Sequence, residues 1–128
     1  MKGFRQEYGV DFDEIFSPVV KMTPLHFMLG VVAAENLELI QLDVKMALLH
    51  GDLKEEIYME QSKAFMASGQ EHLFCRLRKG LYGLKQAPRQ WYKKFYYFIQ
   101  SVGFSKSDED HCLFTKPAQD GSPIFLII

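Results

Sequence analysis

A chain of 128 residues, 48% hydrophobic and 24% charged, is one domain's worth of material, able to bury roughly two-thirds of its unfolded surface. It has no low-complexity tract and no repeat, which excludes a disordered tail or a solenoid, and the apolar run at residues 27–34 is too short to span a bilayer. The net charge of −1 hides an asymmetry: residues 72–107 contain no Asp or Glu, yet hold Arg76, Arg78, Lys79, Lys85, Arg89, Lys93, Lys94 and Lys106.

Residues 1–22 read as an irregular lead-in with aromatic anchors, because acids and turn formers alternate over residues 11–17 and Pro18 blocks a helix. Thr23 before Pro24 predicts a helix start, an N-cap followed by proline at the first helical position. That helix should run to about Asn36, apolar on most sides and therefore buried against a sheet. At residues 39–46 the period changes to two. Ile40, Leu42, Val44 and Met46 form one face; Gln41, Asp43 and Lys45 form the other, so Asp43 is expected on the polar face of a strand. A turn at His50, Gly51 and Asp52 should return the chain as a second strand at 56–61, and a third is expected at 73–77.

The second helix is predicted from Pro88 to Val102. Trp91, Phe95, Phe98 and Val102 would line one side, flanked by Tyr92 and Ile99, with Lys93, Lys94, Tyr97 and Gln100 facing out. Gly103 suits the position after the helix end. Strands at 112–116 and 124–128 around a Gln119-Asp120-Gly121-Ser122 turn complete an α+β order, with two main helices packed on a mostly antiparallel sheet and no linker dividing the chain. Cys75 and Cys112 offer no disulfide framework, which points to a reducing compartment. With His72 and His111 they could be drawn as a zinc site, but adjacent residues rarely both reach one tetrahedral ion and each Cys sits in an apolar run, so zinc is not expected.

The richest segment is Leu81-Tyr82-Gly83-Leu84-Lys85-Gln86-Ala87-Pro88-Arg89-Gln90-Trp91-Tyr92. A glycine-bearing turn runs into a proline-started helix with Lys85, Gln86 and Arg89 at its entrance. Cations at a helix N-terminus add positive charge where the dipole is already positive, an arrangement that an anion relieves. Interleaved with Tyr82, Trp91, Tyr92, Tyr96 and Tyr97, the basic stretch has what a nucleic-acid groove requires, cations that release counterions and rings that stack on bases; a solvated basic helix face is the alternative.

This segment, from Gly80 onward, resembles the signature of copia-type LTR-retrotransposon reverse transcriptases. Lys2-Gly3-Phe4-Arg5-Gln6, Phe16-Ser17-Pro18-Val19-Val20-Lys21, Gln41-Leu42-Asp43-Val44-Lys45, Leu49-His50-Gly51-Asp52-Leu53 and Glu55-Glu56-Ile57-Tyr58-Met59 resemble further family segments, in the family's order. The resemblance covers essentially all of the chain and implies a single partial reverse transcriptase domain over residues 1–128, part of the palm and fingers of a right-hand polymerase. It implies an RNA-directed DNA polymerase, a nucleotidyltransferase working by two-metal phosphoryl transfer with Mg²⁺, deoxynucleotides and an RNA or DNA template-primer. By the same resemblance Asp43 is the catalytic metal ligand, joined by the Val44 carbonyl; Val44, Leu48 and Gln86 line the nucleotide site; and Arg76, Arg78, Lys79, Lys85, Arg89, Lys93 and Lys94 contact nucleic acid.

Several positions depart from the family pattern. Leu48 stands where an aromatic residue usually excludes the 2′-hydroxyl, and Gln61-Ser62-Lys63-Ala64-Phe65 lacks the proline and glycine of its family counterpart. The Tyr-x-Asp-Asp turn that supplies two further metal ligands is expected to follow the strand at 124–128, outside this sequence, and Asp108, Glu109 and Asp110 are not expected to replace it. Met1 resembles an internal start. The expectation is therefore a fragment, inactive by itself, with the rest of a Pol polyprotein elsewhere. The alternative is a non-catalytic nucleic-acid-binding remnant, or an unstable product of a decayed element. With no signal peptide and no transmembrane segment, an intracellular location, cytoplasmic or nuclear, is expected.

Overall fold

Helices α1 (Met22–Ala34) and α2 (Ala87–Ser101) and strands β1 (Asp52–Glu60), β2 (Phe74–Lys79), β3 (Ser105–Lys106), β4 (Leu113–Pro117) and β5 (Pro123–Ile127) make up the regular backbone, with short 3-10 turns at Gly3–Arg5, Ala47–His50 and Lys63–Phe65. The computed structural model describes residues 3–66 and 68–128. Met1, read above as an internal start, Lys2 at the head of the first family segment, and Ala67 lie outside the described residues. No helix among them is long and apolar enough to cross a membrane.

The chain divides into two compact units. The first combines Met1–Ser17 with Met46–Lys94, and the second combines Pro18–Lys45 with Phe95–Ile128. In the first unit β1 and β2 pair antiparallel, with Ile57 opposite Leu77 and Tyr58 opposite Arg76. The two-residue alternation turns Ile57 and Leu77 inward, where Ile57, Leu84 and Ala87 form a buried cluster bordered by Leu48, Leu53, Leu77 and Leu81. Burying each large aliphatic side chain contributes about 1.5–3 kcal/mol. Gly80 closes this packing: an added Cβ would stand 2.5 Å from the Leu48 carbonyl oxygen, so only glycine lets the end of β2 lie against the turn before β1.

In the second unit β3, β4 and β5 form an antiparallel sheet in that order. Phe114 and Cys112 are fully buried, with Ile99 and Met28 close behind, and the Tyr96 ring lies 6.1 Å from that of Phe114. The β4–β5 turn follows its sequence: Asp120 accepts from both the amide and the hydroxyl of Ser122, and Gly121 takes the left-handed φ of 84°. Helix α2 stops where Gly103 was expected to stop it. Gly103 has φ 93°, and the amides of Gly103 and Phe104 donate back to the carbonyls of Gln100 and Ile99, the two bonds of a Schellman cap.

Five expectations are corrected. Residues 39–46 form no strand, because a strand needs a ladder partner and β1 pairs with β2 instead; Leu39, Ile40 and Leu42 are exposed. The strands accordingly form two sheets rather than one under both helices, while the α+β class stands. Helix α1 begins at Met22 with Lys21 as an uncapped N-cap, which leaves Thr23 inside the first turn, and it ends with Asn36 left-handed and the Leu37 amide bonded to the Val32 carbonyl. Only Met28 of α1 is buried and Phe27 is 69% exposed: a helix apolar on most sides has no single stripe to direct its packing. Along α2, Phe98 and Val102 are exposed and Ile99 is buried, a shift of one residue, about 100° around the axis.

Candidate nucleic-acid interface

The entrance of α2 is built by two stretches of the first unit, residues 3–17 and 83–89, which the sequence separates by more than half its length. Gln86 is fully buried. Its Oε1 accepts from Gln6 Nε2 at 3.0 Å and its Nε2 donates to the Asp11 carbonyl at 3.0 Å. The Lys85 amide donates to Gln6 Oε1 at 2.9 Å, and the Lys85 ammonium donates to the Gln6 carbonyl at 3.1 Å while lying 5.1 Å from the centre of the Phe12 ring. Arg89 pairs with the Glu14 carboxylate, and its Nη1 donates to the Phe16 carbonyl at 3.0 Å. The Ser17 hydroxyl donates to the Pro88 carbonyl. The cations that sequence reading placed at a bare helix N-terminus are thus met by carbonyls and a carboxylate.

Beside this entrance a cleft of about 280 Å³ is lined by Asp13, Glu14, Lys54, Glu55, Arg89, Gln90 and Lys93. Partial burial lowers the pKa of the Lys93 ammonium, and repulsion from Arg89 and Lys54 lowers it further, against a smaller attraction from Glu55. Arg89 Nε is buried there with no hydrogen-bond partner among the described residues. Asp13, Glu14 and Glu55 face a lining that also holds Lys54, Arg89 and Lys93, so formal charge in the cleft is balanced.

The remaining expected contact residues lie on β2 and α2 of the same unit. Arg76 pairs with Glu56 at 2.9 Å and Lys94 with Asp52 at 2.8 Å, both well exposed. The hydrogen bond from Lys94 holds the Asp52 carboxyl below its ordinary range, helped by the Lys94 and Lys79 charges. Arg78 and Lys79 are exposed at the end of β2. Leu48 sits on the 3-10 turn Ala47–His50 and packs at the border of the Ile57–Leu84–Ala87 cluster.

Asp43 and Val44 belong to the second unit, exposed in the irregular segment that precedes Met46. The donor set decides whether magnesium fits. Among the described residues no three His, Cys, Asp or Glu side chains are grouped so as to hold a metal ion, and one carboxylate with one carbonyl falls short of the near-octahedral oxygen shell that magnesium demands. The residues present do not by themselves fit the ion that the resemblance implies. Cys75 is exposed on β2 and Cys112 is buried, where burial and the nearby Asp110 raise its thiol pKa.

Sequence reading missed Gln6, Asp11 and Glu14 as partners of the entrance. Gln6 and Gln86 stand 80 positions apart, and nothing periodic links them. The only available signal was that Lys85 and Arg89 needed countercharge or acceptors somewhere.

The pattern described as reverse transcriptase (RNA-dependent DNA polymerase) matches residues 1–128. The chain is 53% identical over its whole length to the retrovirus-related Pol polyprotein from transposon TNT 1-94 of Nicotiana tabacum, of which it spans 10%. Over 113 residues, 88% of the chain, it is 44% identical to the corresponding polyprotein from transposon RE2 of Arabidopsis thaliana, covering 8% of it. A more distant relative, the transposon Ty1-DR4 Gag-Pol polyprotein of Saccharomyces cerevisiae, is 34% identical over 87 residues, 67% of the chain and 5% of that protein. The chain therefore spans about a tenth or less of these relatives. No solved structure matches it.

Proposed function

The chain belongs to the reverse transcriptase (RNA-dependent DNA polymerase) family, and on that premise we propose that it is a palm-and-fingers portion of a copia-type retrotransposon polymerase whose own share of the work is to grip primed template. The observation that carries this reading is the acid-free stretch 72–107, with Arg76, Arg78 and Lys79 on β2 running into the Lys85–Lys94 segment at the start of α2. Such a band neutralises phosphates and releases counterions whatever the base sequence. Arg78 and Lys79, exposed on β2, are the cations most open to a backbone; Lys85 and Lys93 follow them in the chain, and Arg76, Arg89 and Lys94 join after exchanging a carboxylate for a phosphate.

Polymerisation is the family's activity. Asp43, with the Val44 carbonyl, supplies one set of ligands to a magnesium site whose other carboxylates come from elsewhere in the polyprotein. Leu48 and Gln86 stand near the nucleotide in this reading, Leu48 as the residue that tests the 2′ position and Gln86 as part of the pocket wall. A second reading, favoured by the insufficient metal donor set, is a nucleic-acid-binding remnant with no chemistry at all. Both readings require binding.

The test is fluorescence anisotropy of a labelled RNA template with a DNA primer, titrated with the 128-residue chain at several salt concentrations. The expected result is a linear fall of log affinity with log salt, with a slope reduced by about 1 for each of Arg78→Ala and Lys79→Ala. Affinity that ignores salt and both substitutions would sink the proposal.

A further inference from the structure

The two side-chain amides at the α2 entrance are oriented without ambiguity, because the relay that contains them begins and ends on backbone groups of fixed polarity. The Lys85 amide can only donate, so the Gln6 atom it meets at 2.9 Å is the oxygen. Gln6 Nε2 is then the donor toward Gln86 Oε1. That leaves Gln86 Nε2 for the Asp11 carbonyl, which can only accept. Neither amide can flip without setting donor against donor or acceptor against acceptor. Gln6 is 8% exposed and Gln86 is fully buried, so water offers little substitute. Gln6 also grips Lys85 a second time, its carbonyl accepting from the ammonium at 3.1 Å. Lys85 itself is exposed, and the ammonium keeps two more N–H groups for a ligand.

We infer that Gln6 is a positioning residue for this entrance: its side chain ties the Lys85 main-chain amide to the Gln86 side-chain amide, which sets its own main-chain carbonyl against the Lys85 ammonium, and a phosphate of the bound nucleic acid meets that arrangement through Lys85. The inference rests on the template-primer binding proposed above. It assigns Gln86 a role it performs while buried, since both of its amide atoms are engaged inward. Fixing Lys85 beforehand removes ordering that would otherwise accompany binding, which is how a residue that touches no ligand raises affinity.

The experiment uses the full chain in two readouts. In NMR spectra the two side-chain NH₂ protons of Gln86 should be well separated and slow to exchange in the wild type, and should move toward free-amide positions in Gln6→Met, which keeps the volume and deletes both side-chain bonds. In the template-primer titration Gln6→Met should weaken binding about threefold, less than Lys85→Ala because the main-chain carbonyl of residue 6 still meets the ammonium, and the double variant should be no weaker than Lys85→Ala alone. If Gln6→Met leaves the affinity unchanged while the wild type binds, the positioning role is overturned. Additive losses in the double variant overturn it too, since they would show Gln6 acting other than through Lys85. A wild type that binds no template-primer at any salt defeats the proposed function and with it the positioning role. The amide spectra then still decide the relay: unchanged Gln86 signals in Gln6→Met refute it.

Discussion

Gln86 shows how a residue can be singled out for the right segment while its surroundings remain unread. The run from Lys85 to Arg89 is legible in the sequence as a place where polar groups crowd a helix start. What the sequence does not reveal is that Gln86 is fully buried and spends its amide on Gln6 and Asp11, because no local rule connects positions 80 and 75 apart. The same holds for Arg89, whose partner Glu14 lies in a stretch that reads only as an irregular acidic turn. Replacing Gln86 with Leu keeps roughly the volume but orphans Gln6 Nε2 and the Asp11 carbonyl. The expected cost is about 1–3 kcal/mol, read as a lower urea midpoint at unchanged slope. An unchanged midpoint would mean that the relay carries no net stability.

Elements were legible where their cause is local and illegible where it is not. The cap of α2 at Gly103 and the β4–β5 turn at Gly121 follow from residue chemistry, and both are found where that chemistry puts them. The alternation at residues 39–46 is as good a strand pattern as any in the chain, yet pattern alone cannot supply a neighbour, and β1 finds its ladder with β2. Helix α1 fails in the opposite way: it forms, but its apolar residues on several sides do not say which will be covered. The ion pair between Asp52 and Lys94 joins the start of β1 to α2 within the first unit, and both partners are too exposed for solvent screening to leave it more than about 1 kcal/mol. Its sign with pH is fixed. The folded-state pKa of Asp52 is depressed, so the contribution is present above the ordinary carboxylate value of about 4 and is lost as pH falls through the folded value. Asp52→Asn should therefore lower the urea midpoint slightly at neutral pH and leave it unchanged in strong acid; an equal deficit at both would show that the charge is not the cause.

Across the chain, the proposed grip on nucleic acid is separable from the family's chemistry. The family and the basic band are plain from the sequence, and the match over residues 1–128 establishes the family independently. The fold supplies an organised helix entrance and exposed cations on β2, but its described residues group no metal-binding set of side chains, and Asp43 stands in an irregular, exposed segment. Sequence could place Asp43 in a family motif; it could not say whether neighbouring elements would hold that carboxylate on a rigid strand, because this depends on pairing that residues 39–46 do not make. The measurement that tests this separation most directly is primer extension by the full chain on a labelled RNA template with a DNA primer, in Mg²⁺ or Mn²⁺, at protein concentrations that saturate the template in the anisotropy assay. The expected outcome is saturable binding with no nucleotide incorporated. Incorporation that disappears in Asp43→Asn would contradict it, showing that these residues assemble a working metal site by themselves.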